Sequence, residues 1–213
     1  MKGLLIKDFN LLKKRGSILL VCILVFTVYQ LGEFNSEAAV GFATLMVGIF
    51  SLTTITYDEY ENGMPFLFTL PIRKVDYVRE KYIFGFLIAT VTWIIMEAAC
   101  IFFDALVWTE NNGNFEDKLA FCVGYLALVY FLISIQIPLK LKFAERSGIV
   151  MMVVAVIISI FCAIVLIEFE YGVSFMESGL SWGVVAAVAA VVLFALMFVF
   201  YRWSVRIMET REL

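Results

Sequence analysis

The stretch YIFGFLIATVTWIIMEAACIFF, residues 82–103, follows directly on RKVDYVREK, residues 73–81. As a helix rising ~1.5 Å per residue, the apolar run is long enough to cross the ~30 Å of hydrocarbon in a bilayer. A lone strand would leave its backbone groups unpaired in lipid, so the run is read as a helix. Cationic side chains resist translocation, and Arg73, Lys74, Arg79 and Lys81 therefore fix its start on the cytoplasmic side.

The same alternation runs through the chain. Six apolar runs are visible, at about 17–31, 38–57, 82–103, 119–137, 148–167 and 182–201, the first only marginally long. Fifteen of the sixteen Lys and Arg residues fall in alternate gaps: the N-terminus, 58–81, 138–147 and the C-terminus. The other gaps hold Lys118 and nine acidic residues: Glu33, Glu37, Asp104, Glu110, Glu116, Asp117, Glu168, Glu170 and Glu177. This is the pattern of an all-α, polytopic membrane protein with six transmembrane helices and both ends cytoplasmic. The chain is 63% hydrophobic with mean hydropathy +0.96, against roughly 45–50% apolar residues in a soluble domain. Residues 1–213 read as a single membrane domain. Trp108, Trp182, Tyr201 and Trp203 lie near the run ends, where amphipathic rings are favoured. Nothing supports nucleic-acid binding.

The first run follows a basic segment, as a signal peptide would, but no small-x-small cleavage site follows 29–32. It is read as a retained span. Cys22, Cys100, Cys122 and Cys162 lie apart inside spans and read as buried small hydrophobes. Residues 179–183, GLSWG, fit the G-x-S-x-G nucleophile pattern, yet the chain has no His to act as base. They are read as a turn entering the sixth span. No phosphate loop of the form G-x-x-x-x-G-K-[ST] occurs, so ATP hydrolysis is not assigned to this chain, nor is any other catalysis. Pro138 is read as closing the fourth span.

Two segments outside the spans invite a partner. Residues 1–16 place Leu5, Phe9 and Leu12 on one helix face, with Lys7, Asn10 and Lys14 opposite. That suits an amphipathic interfacial helix with Lys toward anionic lipid; the alternative is a plain basic tail. Residues 58–81 open with Asp58, Glu59 and Gly63, then carry Met64, Phe66, Leu67, Phe68 and Leu70 in a loop too short for a core. Such a cluster either marks an interface or tucks beneath its own bundle. Pro65 suits the first turn of a brief helix, and Pro71 ends it.

This segment resembles the one after span two in small bacterial ABC type-2 permeases. The resemblance rests on Tyr57-Asp58-Glu59, Gly63, residues 66–74 (FLFTLPIRK), Val78 and Lys81-Tyr82. The opening nine residues and the closing Arg211-Glu212-Leu213 are similar to that family's ends. One departure is Arg73, where the family usually has a Ser or Thr able to cap the next helix, leaving Asp76 as a substitute one turn later. The resemblance implies the membrane half of an ABC exporter, in which this segment is a cytoplasmic coupling helix docked in a separate ATPase subunit. It implies that Asp58, Glu59, Gly63, Met64, Phe66, Leu67, Phe68, Leu70 and Pro71 form the ATPase-coupling surface. Phe66 and Leu67 are its expected anchors, and Asp58 and Glu59 its expected solvated rim. ATP and Mg²⁺ belong to the partner, with no cofactor in this chain. A second permease copy, or a similar permease, and an amphipathic peptide substrate are implied as well, in a bacterial plasma membrane.

Glu97 is the one acidic residue inside a run, ~22 Å beyond Tyr82. A charge there faces protein or a wet cavity, or else snorkels outward. Glu97 and Trp93, one turn below it, are read as lining the export path. Gly183, Ala186, Ala187, Ala189 and Ala190 offer a close-packing stripe for a second copy. The competing reading of the whole chain is a passive channel or membrane scaffold without an ATPase.

Overall fold

Long apolar runs interrupted only by short polar gaps leave the backbone one economical solution, and the computed structural model adopts it. The structure describes residues 2–32, 36–60, 63–107, 115–143 and 182–211, all of them helical or in short connecting turns. The helices are α1 (Lys2–Gly32), α2 (Ser36–Ser51), α3 (Thr53–Glu59), α4 (Gly63–Leu67), α5 (Lys74–Val107), α6 (Phe115–Phe143) and α7 (Trp182–Thr210). Among the described residues, four stretches are long and apolar enough to cross a membrane: Ala39–Glu59, Lys74–Phe102, Cys122–Phe143 and Ala190–Thr210. They correspond to the second, third, fourth and sixth runs, and the first run lies within α1. The fifth run, 148–167, lies outside the described residues, as do Cys162 and residues 179–181. So do the side chains of Cys22, Gly183, Ala186, Ala187 and Ala189.

Two sequence expectations are corrected here. Residues 1–16 do not form a separate interfacial helix, because α1 runs unbroken from Lys2 to Gly32. No Pro separates the basic segment from the apolar run. Leu5 and Leu12 turn inward, packing with Ile23 against Val47, Phe84 and Ile88, while Phe9 stays exposed. Pro138 does not close the fourth span either: α6 passes through it to Phe143. A helical Pro removes the hydrogen bond to the carbonyl four residues back, here Ser134. The Tyr82 hydroxyl fills that vacancy, donating to Ser134 O at 3.1 Å and meeting Ser204 Oγ at 3.0 Å.

The second run bends where α2 gives way to α3. Around Leu52 the backbone tightens to three-residue bonds, Leu52 N to Ile49 O and Ile55 N to Leu52 O, each 3.2 Å. Ser51, Thr53 and Thr54 return their hydroxyls to carbonyls three residues back, at 2.7–2.9 Å. Hydroxyls in this position compete with the ladder and bend helices.

Small residues set how closely the helices approach. A Cβ added at Gly48 would lie 2.8 Å from Val129 Cγ1, and one at Gly41, two turns away, 2.9 Å from the Tyr125 ring. α2 and α6 therefore meet at van der Waals range along one face. Gly48→Val is expected to lower stability by ~1–3 kcal/mol through overpacking. Gly124, with nothing within 4 Å, is the comparison site, where Ala should be neutral or mildly stabilising. Thermal unfolding in detergent checks both.

The principal core gathers Leu52, Ile55, Met64, Tyr77, Val78, Tyr82, Val129, Ile133, Ile137, Leu141 and Met208 at one end of the bundle. At that end the start of α1, the end of α3, the start of α5 and the ends of α6 and α7 converge. These are the four gaps that hold fifteen of the sixteen cationic residues.

Candidate functional site

Charges brought to a crowded helix end must keep their water or find partners. Here two adjacent acids at the end of α3 find partners on opposite sides. Asp58 turns toward α1 and α5. Its Oδ2 sits 2.8 Å from Lys81 Nζ and accepts the Tyr77 hydroxyl at 3.0 Å, and its Oδ1 accepts Lys7 Nζ. Lys81 also donates to Asp8 Oδ2 and, at 3.3 Å, to Thr54 Oγ1. Lys7 Nζ lies 3.4 Å from Asp8 Oδ1. The side chains of Lys81, Asp8 and Asp58 are at most 6% exposed. Glu80 is likewise buried, 3.8 Å from Lys81 Nζ, and neither carboxylate oxygen has a hydrogen-bond partner among the described residues. The Lys81 ammonium also lies 5.0 Å from the Tyr77 ring centroid, within cation–π range.

Glu59 turns the other way, toward α7. Its Oε1 accepts Arg211 Nη1 at 2.7 Å, and Arg211 Nη1 also donates to Leu141 O at 3.2 Å. Lys74 Nζ donates to the Arg211 carbonyl at 2.7 Å. On α6, Lys140 Nζ takes the Leu52 carbonyl at 2.9 Å, at the bend between α2 and α3. Buried ion pairs of this kind add little net stability but are costly to break singly, so their effect is to hold one geometry.

What they hold is the segment between α3 and α5. Tyr60 leaves the helix at φ −64°, ψ 137°, with its N–H still on Thr56 O. The chain then doubles back so tightly that a Cβ at Gly63 would lie 2.8 Å from the Asp58 carbonyl oxygen. A Gly is needed there for close approach. α4 follows, and turns through Phe68, Thr69 and Leu70 lead to Pro71, spanned by a bond from Ile72 N to Leu70 O of 2.6 Å. Asp76 lies in the first turn of α5, where its charge suits the helix dipole, and Arg73 supplies its carbonyl to Tyr77 N at 3.1 Å.

The apolar cluster divides: part of it tucks beneath its own bundle and part faces outward. Met64 is 2% exposed, and Leu67 and Phe68 pack on the principal core, Phe68 edge-on to Tyr77 at 5.8 Å. Phe66 is 74% exposed and Leu70 49%, with Pro65 and Pro71 exposed beside them. Asp58 and Glu59 are not a solvated rim: they are the clamped stem on which this surface stands. Their partners lie far off in sequence, Lys7 on α1, Tyr77 and Lys81 on α5 and Arg211 just after α7, which a local reading of the sequence does not reach. A faint signal was available, since Asp8 is the one acid among the five basic residues of 1–15.

Toward the other end of α5, Trp93 does not present a free ring edge. Its Nε1 donates to Cys122 O at 2.9 Å, tying α5 to α6 beside Ala39, Val40 and Cys100. Glu97 is half-buried one turn on, and its Oε2 is enclosed with no hydrogen-bond partner among the described residues.

No curated protein and no solved structure matches the chain. The family model described as ABC-2 family transporter protein matches residues 3–209. The three stretches that resemble small type-2 permeases, around Asp8, Asp58–Lys81 and Arg211, are also the ones that these ion pairs join. The chain belongs to the ABC-2 transporter family, as a membrane permease of an ABC transporter.

Proposed function

We propose that this permease is the membrane half of an ATP-driven exporter and that a separate ATPase subunit docks on the surface made by Pro65, Phe66, Leu70 and Pro71. The observation that carries this is an apolar knob, Phe66 and Leu70, turned to water on a stem that ion pairs hold rigid. An exposed aromatic beside an aliphatic side chain is what a docking groove takes up. ATP and Mg²⁺ are held by the partner, and closure of paired ATPase subunits reaches the spans as a rigid-body shift of this stem.

The proposed arrangement has six spans and cytoplasmic ends in a bacterial plasma membrane. Two permease copies, or this chain with a similar one, surround a shared path. Amphipathic peptides are the proposed cargo, a reading that rests on the resemblance to small permeases that move such peptides. Glu97 is the proposed path residue, since an enclosed carboxylate oxygen with no partner among the described residues suits a contact with the cargo or the second copy. Trp93 supports it from the α5–α6 seam.

Co-expression with candidate ATPase subunits, followed by co-purification and reconstitution in vesicles, tests the function. A stable complex whose ATP hydrolysis rises with an amphipathic helical peptide is the expected result. A permease that captures no ATPase and passes solute down a gradient would overturn it. Glu97→Gln should leave capture of the ATPase unchanged and lower peptide-stimulated turnover about tenfold, the effect of losing one charge-assisted contact. Co-purification reports the first quantity and ATP hydrolysis in vesicles the second.

A further inference from the structure

We infer that Arg211 is the positioning residue of the docking segment: the residue after α7 clips the segment's two stems and α6 into one unit. The inference rests on the docking reading above for its functional consequence, and on geometry alone for the clip itself. Arg211 reaches three other helices at once. Its guanidinium bonds Glu59 at the end of α3 and the Leu141 carbonyl on α6, at 2.7 and 3.2 Å. Its own carbonyl accepts Lys74, the first residue of α5, at 2.7 Å. Glu59 and Lys74 are the residues at which the chain leaves α3 and enters α5, so one residue closes the loop that carries Phe66 and Leu70. The Glu59 side chain is 10% exposed and that of Arg211 28%, so the pair is partly shielded from solvent. Both side-chain bonds leave one guanidinium nitrogen, Nη1, whose planar geometry fixes the directions of its two N–H groups, whereas the Lys ammonium is a rotating point charge.

The clip can be read without an ATPase. In a full-length chain with its four cysteines replaced, a nitroxide on Leu70→Cys reports the segment's motion, and one on Phe102→Cys, far along α5, serves as reference. Arg211→Gln and Glu59→Gln should each loosen the label at 70 and leave the one at 102 unchanged. The double variant should be no looser than Arg211→Gln alone, because Glu59→Gln removes one of the contacts that Arg211→Gln already removes. In capture assays with the cognate ATPase, each variant should bind about tenfold more weakly, and Arg211→Lys should recover part of the loss. A label at 70 that moves in Arg211→Gln as it does in the wild type would overturn the inference, as would effects that multiply in the double variant. Loosening of the label with undiminished capture would uphold the clip and sink the docking reading.

Discussion

Lys81→Met is expected to destabilise the permease by ~3–5 kcal/mol, the cost of leaving buried charge uncompensated. Met keeps most of the apolar stem and removes the ammonium. Asp8 and Asp58, with side chains 0% and 6% exposed, then face each other with only the half-exposed Lys7 between them. Tyr77 would keep its bond to Asp58, but a neutral hydroxyl does not replace a cation. The triple variant Lys81→Met with Asp8→Asn and Asp58→Asn should recover most of the loss, because removing a buried network whole is far cheaper than removing one member. Thermal unfolding in detergent and the fraction surviving size-exclusion chromatography measure it. A Lys81→Met protein within ~1 kcal/mol of the wild type would mean that these carboxylates behave as surface ion pairs do.

The same cluster shows what the sequence could and could not reveal. Membrane helices are legible because lipid imposes one requirement on every residue of a run, and the gaps sort their charges by side. That gave the second, third, fourth and sixth runs, and it brought the cationic gaps to one end. Two misreadings arose where a contact distant in sequence decides a local feature. Pro138 looks like a helix end until Tyr82, 52 residues from Ser134 in sequence, takes up the Ser134 carbonyl. Leu5 and Leu12 look like a lipid-facing stripe until Val47, Phe84 and Ile88 cover them.

Asp58 and Glu59 illustrate the point for the site. Two acids followed by Tyr60 and the polar residues 61–63 read as a hydrated edge. Neighbours in sequence, they are separated in space by the partners they find: Lys7, Lys81 and Tyr77 for one, Arg211 for the other. The location of the segment was legible, but not which of its side chains face out. A five-residue helix closed by turns has no long amphipathic period from which to read a face.

That division of faces fixes the experiment on docking. Leu67 packs on the core, so the pair to truncate is Phe66 and Leu70, not Phe66 and Leu67. Phe66→Ala with Leu70→Ala should weaken capture of the ATPase subunit by ~2–4 kcal/mol, or roughly 30- to 1,000-fold, and abolish transport with it. The unfolding temperature of the permease should stay near the wild-type value, since both side chains already face water. Met64→Ala should do the reverse. At 2% exposure its loss opens a cavity under the segment and costs ~2–5 kcal/mol of stability. Measuring capture and unfolding on the same preparations separates the two outcomes. Wild-type capture and transport by the Phe66/Leu70 variant would show that no ATPase sits on this surface, leaving its exposed aromatic without a role in coupling. Loss of capture at unchanged unfolding temperature has the opposite meaning. The energy of ATP would then enter the membrane helices through two side chains that play no part in folding them.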